Sequence, residues 1–186
     1  MKKNLIEEVR RFVEEESKKP TSVYGYESYE FHFIPMRNYA VKLAKKLDAD
    51  VEVVEISAWL HDIGSIINGR ENHHQTGAEI AESKLKEFGY PLEKIKMVKY
   101  CILNHRGSIR NYRTSLEEKI ISDADALSHF DNVAGLFNAA FIEGLDEKQA
   151  MQSVLTKLTN SWNKLEFDES KEIIKPKYDA AKILLK

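Results

Sequence analysis

The stretch Ala58-Trp59-Leu60-His61-Asp62-Ile63-Gly64 sets an imidazole beside a carboxylate at the end of an apolar run. Burying either group without a partner costs on the order of 1–3 kcal/mol or more, so the chain must satisfy both. At this point two answers are open, a hydrogen-bond network or a metal ion. The run that leads into the pair, from Val51 to Ile63, lacks the alternation of a half-buried strand and reads as a helix.

Working outward, helical periodicity recurs almost throughout. Leu5, Val9, Phe12 and Val13 form one apolar stripe, Ile80, Leu85 and Phe88 contribute to another, and Ile142, Leu145, Met151, Leu155 and Leu158 extend the pattern. No segment alternates convincingly as a strand. The spacing predicts helices over 4–17, 33–47, 51–63, 73–88, 92–104, 116–143, 147–162 and 169–185, an all-α bundle of seven or eight helices. A chain of 186 residues can bury a core, and with no repeat or Gly/Ser linker one domain over 1–186 is the expectation. Gly64 reads as the stop of the helix that carries the His-Asp pair, and Gly89-Tyr90-Pro91 as a stop followed by a new start. Pro35 lacks an amide hydrogen and fits a first turn, which puts His32 at a helix mouth. The tyrosine-rich connection from Thr21 to Phe33 either covers a site or wedges the first helix, and the wedge is the simpler reading.

Composition narrows the function. With 28 basic and 30 acidic residues the formal charge is -2, so no whole-protein field gathers nucleic acid or anionic lipid. Neither a nucleic-acid polymer nor a membrane is an expected partner. The single Cys101 sits in an apolar run and reads as a buried thiol in a reducing compartment, not a nucleophile. Glu7, Glu8, Arg10 and Arg11 interrupt the N-terminal segment, and no stretch approaches a membrane span, so a cytoplasmic location is expected.

The six histidines, with nearby carboxylates, fall almost entirely at helix ends. His32 opens one helix, His61-Asp62 closes the next, His73-His74 opens a third and His105 ends a fourth, while Asp123 and Asp125 lie early in a long one. Taken singly, each is an ordinary cap or dipole partner. Together, helix tips from several helices can converge on one cleft, and imidazole with carboxylate suits Zn, Fe or Mn. His129 stands four residues after Asp125 on the same helix face, as a proton donor, a supporting partner or a packed side chain. Arg106, Arg110 and Arg113 in "HRGSIRNYR" have the forks that recognise phosphate, although a basic loop is often simply solvated.

The ordered series His32, His61-Asp62, Asp125 resembles the H…HD…D motif of the HD-domain superfamily of metal-dependent phosphohydrolases. The contexts "SAWLHDIG", "HHQTGAEIA" and "IISDADAL" are similar as well, and the likeness spans roughly residues 30–130. The resemblance implies a first metal at His32, His61, Asp62 and Asp125. Asp125 is preferred to Asp123 because it stands between alanines, with Leu127 following. It further implies a second metal through His73 and His105 with Asp62 bridging. His73 is preferred to His74 by its distance from Gly77-Ala78. One or two divalent ions would be held, Fe or Mn first, with Mg, Co, Ni or Zn as alternatives.

The activity so implied is hydrolysis of a small phosphate ester, a nucleotide foremost, by metal-activated water. Asp62 would orient the water, His129 would act as acid or support, and Arg106, Arg110 and Arg113 would bind substrate. Two alternatives use the same side chains: a di-iron oxygenase of the HD fold, and a non-catalytic module that senses a nucleotide. The "FGYP" at 88–91 resembles the GYP of the cyclic-di-GMP subfamily, but a whole helix separates it from the histidines, and a helix stop explains it. The helices outside the resemblance carry apolar stripes that a homodimer would pair.

Overall fold

A computed structural model describes residues 2–106 and 113–185. Among them are ten α-helices and no strand. They run α1 Lys2–Ser17, α2 Ile34–Lys46, α3 Val51–Leu60, α4 Ile63–Asn68, α5 His73–Glu87, α6 Leu92–Asn104, α7 Leu116–Ser128, α8 Val133–Ile142, α9 Glu147–Asn163 and α10 Asp168–Leu184. A π turn, Tyr29–Phe33, runs directly into α2.

The helix count exceeds the expected seven or eight for two local reasons. The segment expected as one helix over 116–143 breaks after Ser128, and Asn132 restarts it by accepting a hydrogen bond from Gly135 N. A Cβ at Gly135 would fall on the Asn132 side chain, so this cap needs glycine there. The second extra helix is α4, which begins immediately after Asp62.

Gly64 therefore does not stop a helix. It lies inside α4, at the point where that short helix crosses α5 so closely that an added Cβ would meet the backbone of His73 and Gly77. By contrast Gly89 adopts φ +70° and does end α5, as read from the sequence. Pro35 sits at the start of α2, but His32 is within the preceding π turn, where Ile34 N bonds back to Tyr29 O. The wider turn precedes a residue that cannot continue the amide ladder.

Helix α3 explains the opening apolar run. Every residue from Val53 to Leu60 is buried, because α3 is the wall shared by two cores. On one side Met36, Leu43, Val54, Ala58, Ile120 and Leu127 pack with residues of α9 and α10. On the other Val9, Val13, Phe33, Ile56, Leu60 and Leu85 join α1, α5 and α6. Truncating a side chain such as Leu60 would cost about 2–5 kcal/mol. The tyrosine-rich connection does wedge α1: Tyr29 is buried, stacks on Trp59 and accepts from Arg10 at 2.8 Å. Tyr24 of the same stretch lines a cleft, so the two readings of this segment are compatible. Cys101 is buried, and burial pushes its thiol up to about 12, as expected of a structural cysteine. No helix among the described residues is long and apolar enough to cross a membrane.

Candidate metal centre

His61 leaves α3 just as the chain turns, and Asp62 occupies φ -113°, ψ 16° between α3 and α4, in the sparsely used bridge region. The turn frees the carbonyl of Ala58, which accepts from His61 Nδ1 at 2.9 Å. The same device recurs twice at helix ends. His73 Nδ1 donates to Arg70 O at 2.8 Å, and His105 Nδ1 to Ile102 O at 2.6 Å. A carbonyl can only accept, so each of these rings carries its proton on Nδ1 and, when neutral, turns the Nε2 lone pair inward. His32 reaches the same state through a side chain. Ser128 Oγ donates to Asp125 O at 2.8 Å and accepts from His32 Nδ1 at 2.9 Å.

All four Nε2 atoms converge on Asp62. Its Oδ2 stands 3.7 Å from His32 Nε2 and 3.6 Å from His61 Nε2. Its Oδ1 stands 3.3 Å from His73 Nε2 and 3.4 Å from His105 Nε2. Asp125 Oδ1 faces the first pair, 3.8 Å from His32 Nε2 and 3.9 Å from His61 Nε2. Two overlapping sets can thus hold a metal: His32, His61 and Asp62 on one side, Asp62, His73 and His105 on the other. His129 joins His32 and Asp125 in a third such set, with its Nε2 3.5 Å from Asp125 Oδ1 and its Nδ1 2.9 Å from Ser161 Oγ.

The donor chemistry fits a cation. His32 Nε2 and His61 Nε2 are 3.0 Å apart with both Nδ1 hydrogens already committed. Two neutral rings in that state present lone pair to lone pair, and a positive ion between them and the carboxylates resolves the conflict. Burial pushes His61 down to about 4, which keeps it neutral near pH 7. Burial pushes the Asp62 carboxyl up, but positive charge on His61 and hydrogen bonds from His105 and His32, once these rings take up protons, hold the group well below the usual range. Asp125 also lies well below the usual range: against burial, the Lys164 ammonium lowers it. Burial and Lys157 drive His129 well below its ordinary value.

The two pairs of neighbours weighed in the sequence are placed differently. His74 turns to Arg106, whose Nη1 is 3.5 Å from its Nδ1, while His73 faces Asp62. Asp123 accepts from the Glu166 and Phe167 amides and so anchors the start of α10. Arg106 lines the cleft. Arg113 is not among the residues that line it: its guanidinium donates to Asn104 O, Arg106 O and Glu166 and braces the chain around 106. Arg110 lies outside the described residues.

The sequence reading assigned nothing to α9, yet this helix closes the site. Ser161 holds His129, and Lys164 Nζ lies 2.7 Å from Asp125 Oδ2. Lys157, one turn before Ser161, lines the same cleft with Arg70 and Asn160. The spacing 157, 161, 164 is one helical face, a polar row beside Val154 and Leu158 that periodicity could have exposed. The cleft measures about 690 Å³, room for a small organic ligand.

No curated protein matches the chain. Among solved structures, Bacillus subtilis YpgQ in complex with ADP is 22% identical with a TM-score of 0.70, covering 94% of this chain and 90% of its own. An HD-superfamily hydrolase from Bacillus thuringiensis is 18% identical with a TM-score of 0.74, covering 100% and 95%. A predicted HD superfamily hydrolase from an uncultured Thermotogales bacterium is 19% identical with a TM-score of 0.60, covering 98% and 88%. These likenesses show a shared fold. The family model described as HD domain matches residues 29–129, which takes in His32, the His61-Asp62 pair, His73, His105 and Asp125. The chain belongs to the HD domain family.

Proposed function

We propose that this protein is a metal-dependent phosphohydrolase that acts on a small phosphate ester, a nucleotide foremost. The observation that carries the reading is Asp62, whose two oxygens face two different histidine pairs, as a carboxylate bridging two ions would. Divalent ions bound there supply an acidified water and neutralise charge on phosphoryl oxygens. Imidazole with carboxylate suits Fe or Mn first, with Co, Ni, Zn or Mg as alternatives.

The chain's own residues perform the remaining tasks. Backbone carbonyls and Ser128 lock the histidine tautomers, so little reorganisation is needed when ligands engage. Lys164 holds Asp125 Oδ2 and leaves Oδ1 facing His32 and His61. His129, with its two nitrogens on Asp125 and Ser161, orients that carboxylate from the other side. Arg106 adds positive charge at the cleft wall next to His105. The solved neighbour in complex with ADP supports a nucleotide as the ligand class.

The test is phosphate release from a nucleotide panel with Mn, Fe(II), Co and Mg supplied in turn. Turnover with Mn or Fe(II), abolished in His61→Ala, is the expected result. Oxygen consumption without phosphate release would replace the hydrolase by a di-iron oxygenase. No turnover of either kind, with cellular function intact in Asp62→Ala, would leave a non-catalytic module.

A further inference from the structure

Four cationic side chains line the cleft: Arg70, Arg106, Lys157 and Lys164. Three have a partner there. Lys164 is on Asp125, Arg70 pairs with Glu143, and Arg106 stands against His74. Lys157 forms no hydrogen bond or ion pair among the described residues. Its charged surroundings are Asp125, Lys164, Asp62 and Arg70, two of them like charges.

The position is set by α9. Lys157, Ser161 and Lys164 follow one another along one helix face; Ser161 holds His129 and Lys164 holds Asp125. Lys157 is seven residues from Lys164, roughly 10 Å along the axis. It lines the cleft, where an ammonium close to other cations is stabilised by an added anion. This part of α9 also lies outside residues 29–129, the span that the family model matches.

We propose that Lys157 selects substrates with a phosphoryl group beyond the one held at the metal centre, so that the cleft takes di- and triphosphate esters over monophosphates. The inference rests on the phosphohydrolase reading above and gives that site its substrate class. A charge-assisted contact of this kind contributes about tenfold or more in affinity.

The experiment is calorimetric titration of Mn-loaded protein with inorganic pyrophosphate and with inorganic phosphate, for wild type, Lys157→Gln and Lys157→Arg. The wild type should prefer pyrophosphate by about tenfold or more, Lys157→Gln should remove the preference, and Lys157→Arg should restore it, with metal content equal in all three. A preference that survives Lys157→Gln, or an equal loss for both anions, overturns the proposal. kcat/KM on a nucleoside monophosphate and its triphosphate separates this from the activity itself. A Lys157-dependent pyrophosphate preference in a protein that hydrolyses nothing would sink the hydrolase reading alone. Hydrolysis with no such dependence would sink the role of Lys157 alone.

Discussion

Replacing Gly64 with alanine tests how the fold sets the metal centre. A Cβ there would fall on the carbonyl oxygen of His73, 2.6 Å from Gly77 N and 2.7 Å from Thr76 Oγ1. Two of these obstacles are backbone, so no rotamer change relieves the clash and the start of α5 must move away from α4. Overpacking costs typically about 1–3 kcal/mol, and rigid obstacles place Gly64→Ala at or above the upper end. Alanine regains at most about 1 kcal/mol of helix propensity, leaving a net loss of roughly 2 kcal/mol or more. The same displacement carries His73 away from Asp62 Oδ1, now 3.3 Å from its Nε2. Metal affinity should fall about 10–100-fold, as when a supporting contact of a ligand is lost.

Gly77→Ala is the matched control. There the nearest atom to an added Cβ is Gly64 N at 3.2 Å, followed by carbons at 3.6 Å. Small adjustments and the propensity gain should nearly cancel, so its net effect should stay below about 1 kcal/mol. Urea denaturation gives both stabilities, and metal analysis after dialysis gives both affinities. A Gly64→Ala protein within about 0.5 kcal/mol of wild type and fully loaded would refute the close-crossing account.

Two further outcomes follow from the same geometry. Ser128→Ala removes the acceptor that fixes the His32 tautomer but leaves every ligand in place, so metal affinity should drop about 10–100-fold with a small change in fold stability; unchanged affinity in a metal titration would show that Ser128 does not orient His32. Acid should destabilise the metal-free protein between about pH 6.5 and 4. His61 binds its proton only near 4 when folded but near the ordinary histidine value of 6.5 when unfolded, so the unfolded state holds more protons in that window. The stabilisation is therefore complete above pH 6.5 and lost by about pH 4; it amounts to about 3 kcal/mol from this ring. A flat urea midpoint across that range would contradict the buried, neutral state of His61.

Much of the architecture is legible in the sequence because its signals are local. The stripes of α1, α5 and α9, and the Gly89 stop, follow from periodicity and backbone preference. The candidate ligands were legible for another reason: the resemblance orders His32, His61, Asp62, His73, His105 and Asp125 along the chain, and the fold brings them together. What escaped depends on long-range packing. Gly64 looks like a stop until α5 crosses it, and Arg113 looks like a phosphate fork until Asn104 O, Arg106 O and Glu166 engage its nitrogens. Lys157 and Lys164 are two lysines among 28 basic residues, and only the docking of α9 sets them apart.

Metal stoichiometry by mass spectrometry, for wild type and Asp62→Ala after Mn loading and dialysis, tests the bridging carboxylate most directly. The account predicts two ions per chain in the wild type, and at most one weakly held ion once both Asp62 oxygens are gone. A wild-type protein that retains no metal, or an Asp62→Ala protein that keeps the full complement, would contradict it.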